Sequence, residues 1–257
     1  MFRLQMKRVF DPDEPELMDR PQPVSAELEA DLLNLVSLNR YFGSHRLVRQ
    51  FLRLWLSPGR CYRVLDLATG AGDLPRVMVD WARRRDITLR IDALDANPST
   101  LEIARRLSDG YSEIDFIAGD ALTFTNSQPY DLVCCSLALH HFSEADAVRI
   151  LRRCSDFSNR FVLVTDLERC AMTSIGVYAV TELFYPEPMT KSDARVSAQR
   201  AFSFEEFRSL AERASWTDFG HARFLFCRQA LWLDRRELAD IPEPVLSVSE
   251  GMPCPAA

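Results

Sequence analysis

The sequence predicts an α/β fold organised as a doubly wound, mostly parallel sheet, and three observations carry that expectation. From Tyr62 onward, short apolar runs alternate with helical segments, which is the signature of β-α-β units. Two of these runs end in carboxylates, Asp66 and Asp95, at the strand edge where open sheets hold their ligands. The later segment WTDFGHARFLFCRQALWL reads as two strands around a turn, adding an antiparallel hairpin to five parallel strands, seven in all.

Taken in order, residues up to about Pro23 are polar and punctuated by prolines, so they read as an extended arm and not as a core element. Ser25 caps a helix in which Leu28, Leu32, Leu33 and Val36 recur at helical spacing. A second amphipathic stretch follows Gly43-Ser44, with Leu47, Val48, Phe51, Leu52 and Trp55 apolar, and stops at Pro58-Gly59. Strands are expected near 63–67, 88–94, 114–118, 131–136 and 160–165. Helices are expected at about 74–85, at 98–108 with Pro98 in the first turn, and at 143–156 with Ser143 as cap. After Asp166 a long apolar and aromatic segment with Tyr178, Phe184 and Tyr185 fits no strand rhythm and reads as a helical lid over the sheet edge. Ser203-Phe204-Glu205-Glu206 has capping-box spacing and opens a further helix. The expected organisation is therefore an arm and helical lid over 1–58, a ligand-binding domain over 59–236 with a lid insertion at about 168–200, and a loose proline-rich tail over 237–257.

Composition narrows the function classes. The chain of 257 residues is 47% hydrophobic and 26% charged, ordinary for a globular protein. A net charge of −6 and an isoelectric point near 5.4 give no electrostatic footprint for nucleic acid. Seven cysteines, scattered and without paired C-x-x-C spacing, point to a reducing cytoplasm and away from a disulfide scaffold. No stretch approaches the roughly 18 apolar residues of a membrane span, and no signal peptide is evident at the start.

The chemistry concentrates at the ends of successive strands. The first strand ends in Asp66 and runs through Ala68-Thr69-Gly70-Ala71-Gly72 before a helix begins, so a ligand there meets bare backbone. No Gly-Lys-Ser/Thr ending makes it a phosphate-binding P-loop. A dinucleotide site wants a small residue three positions after Gly72, where Pro75 stands. Asp66 and Asp73 would repel a pyrophosphate but suit S-adenosylmethionine, which carries a sulfonium and an ammonium and no phosphate. Asp95 ends the second strand, placed to accept hydrogen bonds from ribose hydroxyls, and Asp120 follows the third, placed to accept one from the adenine amino group. After the fourth strand come His140 and His141, candidates for a general base toward a hydroxyl acceptor or for packing. Adjacent histidines without a Cys or carboxylate at ligand spacing argue against a metal, and Cys134 and Cys135 read as small hydrophobes in a buried strand.

Together these strand ends resemble the class I S-adenosylmethionine-dependent methyltransferases, a Rossmann-like family, and in particular the branch similar to the ubiquinone and menaquinone biosynthesis methyltransferases. The family pattern D/E-x-G-x-G-x-G falls on Asp66, Ala68, Gly70 and Gly72, with alanine in place of the first glycine. The resemblance implies cofactor contacts at Asp95-Ala96, Asp120-Ala121 and Ser136-Leu137, beside Thr69 of the loop. Val164–Arg169 and Val196–Phe202 also resemble a narrower group of small-molecule methyltransferases of polyketide and phenolic-lipid pathways. That likeness extends to Glu16–Asp19 and Asn39-Arg40, and would give Arg40 to the cofactor carboxylate. The implied activity is O- or C-methylation of a small apolar or aromatic acceptor. Two alternatives stand beside it: an NAD(P)-dependent oxidoreductase on a related fold, and a non-catalytic partner that keeps the fold. Protein or nucleic-acid methylation is disfavoured by the acidity and by the lack of an N/D-P-P-Y/F segment after the fourth strand.

Overall fold

The computed structural model describes residues 7–236, so the expected proline-rich tail lies outside the described residues. Helices α1 (Ala26–Tyr41) and α2 (Ser44–Trp55) precede β1 (Cys61–Leu67), α3 (Asp73–Arg83), β2 (Thr88–Asp95), α4 (Pro98–Leu107) and β3 (Ile114–Ala118). There follow β4 (Tyr130–Ser136), α5 (Glu144–Phe157), β5 (Ser158–Leu167), α6 (Ala171–Phe184), α7 (Pro188–Arg200), α8 (Phe204–Arg213), β6 (Gly220–Phe224) and β7 (Arg228–Asp234). The strand order is β3-β2-β1-β4-β5-β7-β6. Strands β1 to β5 pair in parallel, and β7 enters antiparallel between β5 and β6. This is the Rossmann-like sheet with an antiparallel terminal hairpin that the residue pattern predicts. The order reverses between β1 and β4, which opens a crevice beyond their carboxyl ends.

Local chemistry places the helices. The Ser25 side chain accepts from Leu28 N at 3.1 Å, and Asn97 accepts from Ser99 N at 3.0 Å with Pro98 in the first turn of α4. Ser143 caps α5, and Ser203 and Glu206 close a reciprocal capping box at α8.

Strand alternation sends the core to both faces of the sheet. Leu65, Val133, Cys135, Val162 and Leu231 pack with α5 and α8, while Val64, Leu132, Cys134, Phe161 and Ala230 pack with α2 and α3. The Trp55 and Phe161 rings stack with centroids 4.8 Å apart. Burial pushes the Cys134 and Cys135 thiols well above their ordinary range, in keeping with an apolar packing role.

Three expectations need correction. The lid is a pair of helices, α6 and α7, because Pro186 and Pro188 interrupt the segment. Leu33 lies on the solvent side of α1, while Leu28 and Leu32 carry its burial. The N-terminal arm is extended but built in, held by polar bonds that an apolar pattern does not reveal. Leu17 N and Met18 N donate to the two carboxylate oxygens of Asp193 at 2.8 and 2.9 Å, and Val9 N donates to Gln199 O. Arg8 donates to the carbonyls of Arg200, His140 and Phe142.

One glycine marks a tight approach. A Cβ at Gly220 would lie 1.9 Å from the Trp232 ring, so the indole must move to admit it. Gly220→Ala is expected to lower stability by about 1–3 kcal/mol, the usual range for overpacking. A thermal melt checks this, and an unchanged midpoint would show that the hairpin yields freely.

Candidate active site

A cavity of about 850 Å³ opens beyond the carboxyl ends of β1, β2, β3 and β4 and continues beneath α6 and α7. Its floor is the loop after β1, where Ala68 and Gly70 both adopt left-handed backbone, with φ of 55° and 56°. Alanine at φ > 0 is strained by roughly 1–2 kcal/mol, which is why glycine fills that place in the family pattern. Gly70 N donates to Asp95 Oδ2 at 2.8 Å, and Asn97 N donates to Asp95 Oδ1 at 2.9 Å. Asp95 therefore ties the loop of β1 to the end of β2, and each carboxylate oxygen keeps a lone pair for a ligand. Burial raises its pKa, and the two backbone bonds oppose the rise.

Asp66 is buried at the floor and accepts from Thr69 Oγ1 at 2.7 Å. Burial, then the neighbouring charges of Asp73 and Asp95, push it up to about 7 against the Thr69 bond. A carboxyl raised in the folded state binds a proton that the unfolded chain has already lost, so its contribution to stability falls as pH rises from about 4 toward 7. Asp66→Asn should lack this decline. Urea titrations of both proteins between those limits test it, and parallel pH profiles would refute the assignment.

The structure brings most of the sequence-derived residues to one wall. Asp66, Ala68, Thr69, Gly70, Asp95, Ala96, Asp120, Ala121, Ser136, Leu137, His140 and His141 all line the cavity. Asp120 caps its own turn, accepting from Leu122 N at 2.7 Å, and Ser136 Oγ lies 2.6 Å from Thr165 Oγ1. Two candidates stand elsewhere. Arg40 is exposed, its guanidinium over the Tyr41 ring, and does not reach the cavity. Gly72 caps α3 outside the lining, with left-handed backbone at φ 70° and a Cβ position 2.8 Å from the Phe116 ring, so backbone and packing both call for glycine there. Tyr178, Phe184 and Tyr185 also miss the cavity: the first two face solvent, and Tyr185 shares a hydrogen bond with Ser37. The apolar wall is built instead from Leu35, Val36, Phe42, Phe142, Val177 and Val180.

At the lid end the two histidines meet acids that sequence reading did not connect with them. His140 Nδ1 lies 2.6 Å from Asp166 Oδ1, and its backbone N donates to Oδ2 of the same carboxylate. His141 Nδ1 lies 2.7 Å from Asp19 Oδ2. Burial opposes charge on His141, but Glu16 and Asp19 outweigh it and push the imidazole up to about 10. The acidic neighbours favour the charged imidazole, which disfavours a general-base role and suits His141 as a hydrogen-bond donor toward Asp19.

His45 and Arg228 were also missed, and Asn39 was named only as the neighbour of Arg40. Asn39 Nδ2 donates to Asp73 Oδ2 at 3.1 Å, and His45 Nε2 lies 2.7 Å from the same oxygen. Arg228, buried at the start of β7, is the one Lys or Arg side chain on the cavity wall among the described residues. Asp66, Asp73, Asp95 and Asp120 thus line the strand-end part of the cavity with no lysine between them, a lining that favours a cationic ligand over a pyrophosphate.

The fold and this strand-end site define a methyltransferase architecture, and the comparisons agree. Residues 64–159 match the family model described as a methyltransferase domain. The chain is 40% identical over 81 residues to the 2-phytyl-1,4-naphtoquinone methyltransferase of Thermosynechococcus vestitus, covering 32% of this chain and 35% of that protein. It is 40% identical over 95 residues to the demethylmenaquinone methyltransferase of Thermotoga maritima, covering 36% and 37%. The aligned part thus spans about a third of the length of these curated relatives. Among solved structures, the plantazolicin methyltransferase BamL, in complex with a desmethyl analogue and S-adenosylhomocysteine, matches with a TM-score of 0.59 at 14% identity. That match covers 78% of this chain and 73% of the other and shows the shared fold. Residues 64–159 thus match a methyltransferase domain, and the aligned stretch is similar to the two quinone-acting methyltransferases.

Proposed function

We propose that the chain transfers a methyl group from S-adenosylmethionine to an oxygen or carbon of a small, largely apolar acceptor. The observation that carries this reading is the single cavity that joins the acidic strand-end wall to the apolar chamber under α6 and α7. When bound, S-adenosylmethionine supplies an electrophilic methyl on a sulfonium. The chain's own residues then position and enclose. Asp95 would hold the ribose, Asp120 would receive the adenine amino group, and the loop from Asp66 to Gly70, with Ser136 and Leu137, would shape the methionine pocket. The helices α6 and α7 would exclude water, and in-line approach of the acceptor would provide most of the rate gain. His141, held by Asp19, would donate to an acceptor oxygen and fix its orientation. The quinone-acting names of the two curated relatives support a ring-bearing acceptor. No observation favours a nicotinamide cofactor or a non-catalytic role.

Among the described residues no helix is long and apolar enough to cross a membrane. Calorimetry with S-adenosylhomocysteine and with NAD tests the cofactor, and mass spectrometry of hydroxylated aromatic compounds incubated with S-adenosylmethionine tests transfer. Binding of NAD alone, or cofactor binding without a +14 Da product from any such acceptor, would refute the proposal.

A further inference from the structure

We propose that Glu16, His140 and His141 form a binding site for a divalent transition-metal cation at the acceptor end of the cavity. The sequence argument against a metal rested on the lack of a carboxylate at ligand spacing. The fold supplies one from the N-terminal arm. Glu16, His140 and His141 each offer a ligand atom, and these three atoms lie within 4.8 Å of one another. Glu16 Oε1 is 3.8 Å from His140 Nε2 and 4.0 Å from His141 Nδ1. Zinc bonds to nitrogen and oxygen of about 2.0–2.2 Å place two ligands of one ion roughly 3–4 Å apart, so the observed spacing accommodates a shared ion with small side-chain shifts.

The surroundings are those of a built site. Asp166 holds His140 Nδ1 at 2.6 Å and turns Nε2 toward Glu16, the carboxylate-histidine arrangement that orients metal ligands. Glu16 is 2% exposed, and its Oε1 accepts from Ser197 Oγ at 2.8 Å. Asp19 Oδ2 lies 2.7 Å from His141 Nδ1; an ion bound there would displace the proton that this nitrogen shares with Asp19 and would gain Asp19 as a further oxygen donor. Three carboxylates, Glu16, Asp19 and Asp166, therefore face two imidazoles. The nearby arginines spend their bonds elsewhere: Arg8 on the carbonyls of Arg200, His140 and Phe142, and Arg200 on those of Asp11 and Glu14. Two imidazoles with carboxylate oxygen suit zinc, iron(II) or manganese better than calcium. All three ligands also line the cavity, so the ion would keep a face open to the acceptor.

One consequence rests on the methyltransfer reading: an acceptor would present a hydroxyl or enol oxygen to the ion. Coordination eases loss of the O–H proton to solvent. The oxygen lone pair then forms the new O–C bond while the C–S electron pair leaves with sulfur.

The test is calorimetric titration of zinc into the chelator-treated full chain, with S-adenosylhomocysteine titrated into the same samples. One zinc per chain is expected, with affinity reduced about 100-fold or more in Glu16→Gln and His141→Ala and retained in Cys227→Ser. Cys227 matters because its thiol, 3.8 Å from Cys170 Sγ, is a rival zinc ligand on the same wall. The shape-preserving Glu16→Gln and the partly exposed His141 guard against a variant that fails to fold, and a thermal melt identifies one that does. Absence of saturable zinc binding, binding retained in both ligand variants, or binding lost only in Cys227→Ser would each overturn the site. Loss of S-adenosylhomocysteine binding in the wild-type chain would instead refute the methyltransfer reading and leave the metal result standing.

Discussion

Asp95→Ala is expected to weaken S-adenosylhomocysteine binding about 100-fold, the worth of one or two hydrogen bonds to a charged acceptor. The carboxylate acts twice. It offers free lone pairs to a ribose, and it holds Gly70 N and Asn97 N, which fix the loop after β1 and the start of α4. Asp95→Asn separates these roles, because an amide oxygen can keep one backbone bond while losing the charge. Calorimetry on both variants, with thermal melts as a check on folding, gives the answer. Undiminished affinity in Asp95→Ala would remove the ribose from this end of β2.

His141→Ala is expected to lower kcat about 100-fold, within the usual range for a group acting on the reacting atoms, while leaving S-adenosylhomocysteine affinity within about twofold. The split follows from position. His141 bonds Asp19 and neighbours Glu16, and it makes no hydrogen bond to Asp95 or the glycine loop, although its charge is felt at Asp95. Asp19→Asn should produce a smaller fall, since the ring stays but loses its anchor. Steady-state kinetics with the acceptor that first shows turnover would check both. An unchanged kcat in His141→Ala would make the residue part of the wall only.

The strand ends were readable in advance because their signals are local. An apolar run, a carboxylate and a glycine turn occur within about ten residues, so the place of Asp66, Asp95 and Asp120 at the strand-end cavity could be read from order along the chain. The part of the cavity under α6 and α7 was not readable in this way. Glu16 meets Ser197, Asp19 meets His141, and Asn39 meets Asp73, each through polar bonds between distant segments that leave no periodicity. The lid aromatics failed for a different reason. Helix α6 is apolar on most of its circumference, so sequence could not say which side would face the cavity, and Tyr178 and Phe184 point outward. Arg40 was assigned by a likeness at a helix end, where the backbone instead carries its side chain to solvent.

The long span between the arm and α7 bears on how the chain reaches this structure. The contacts of Leu17 with Asp193 and of Glu16 with Ser197 close loops of 176 and 181 residues. Closure entropy grows only slowly with loop length, so the equilibrium penalty is modest. Timing is affected more, because such non-local pairings form late. During synthesis the arm must wait until α7 has been made, while the β-α units between them can already assemble. A segment that waits so long benefits from being polar and rich in proline, since it has little tendency to pair as a strand with other chains. The composition that kept the arm from reading as a core element thus suits a segment that docks late and completes the cavity wall.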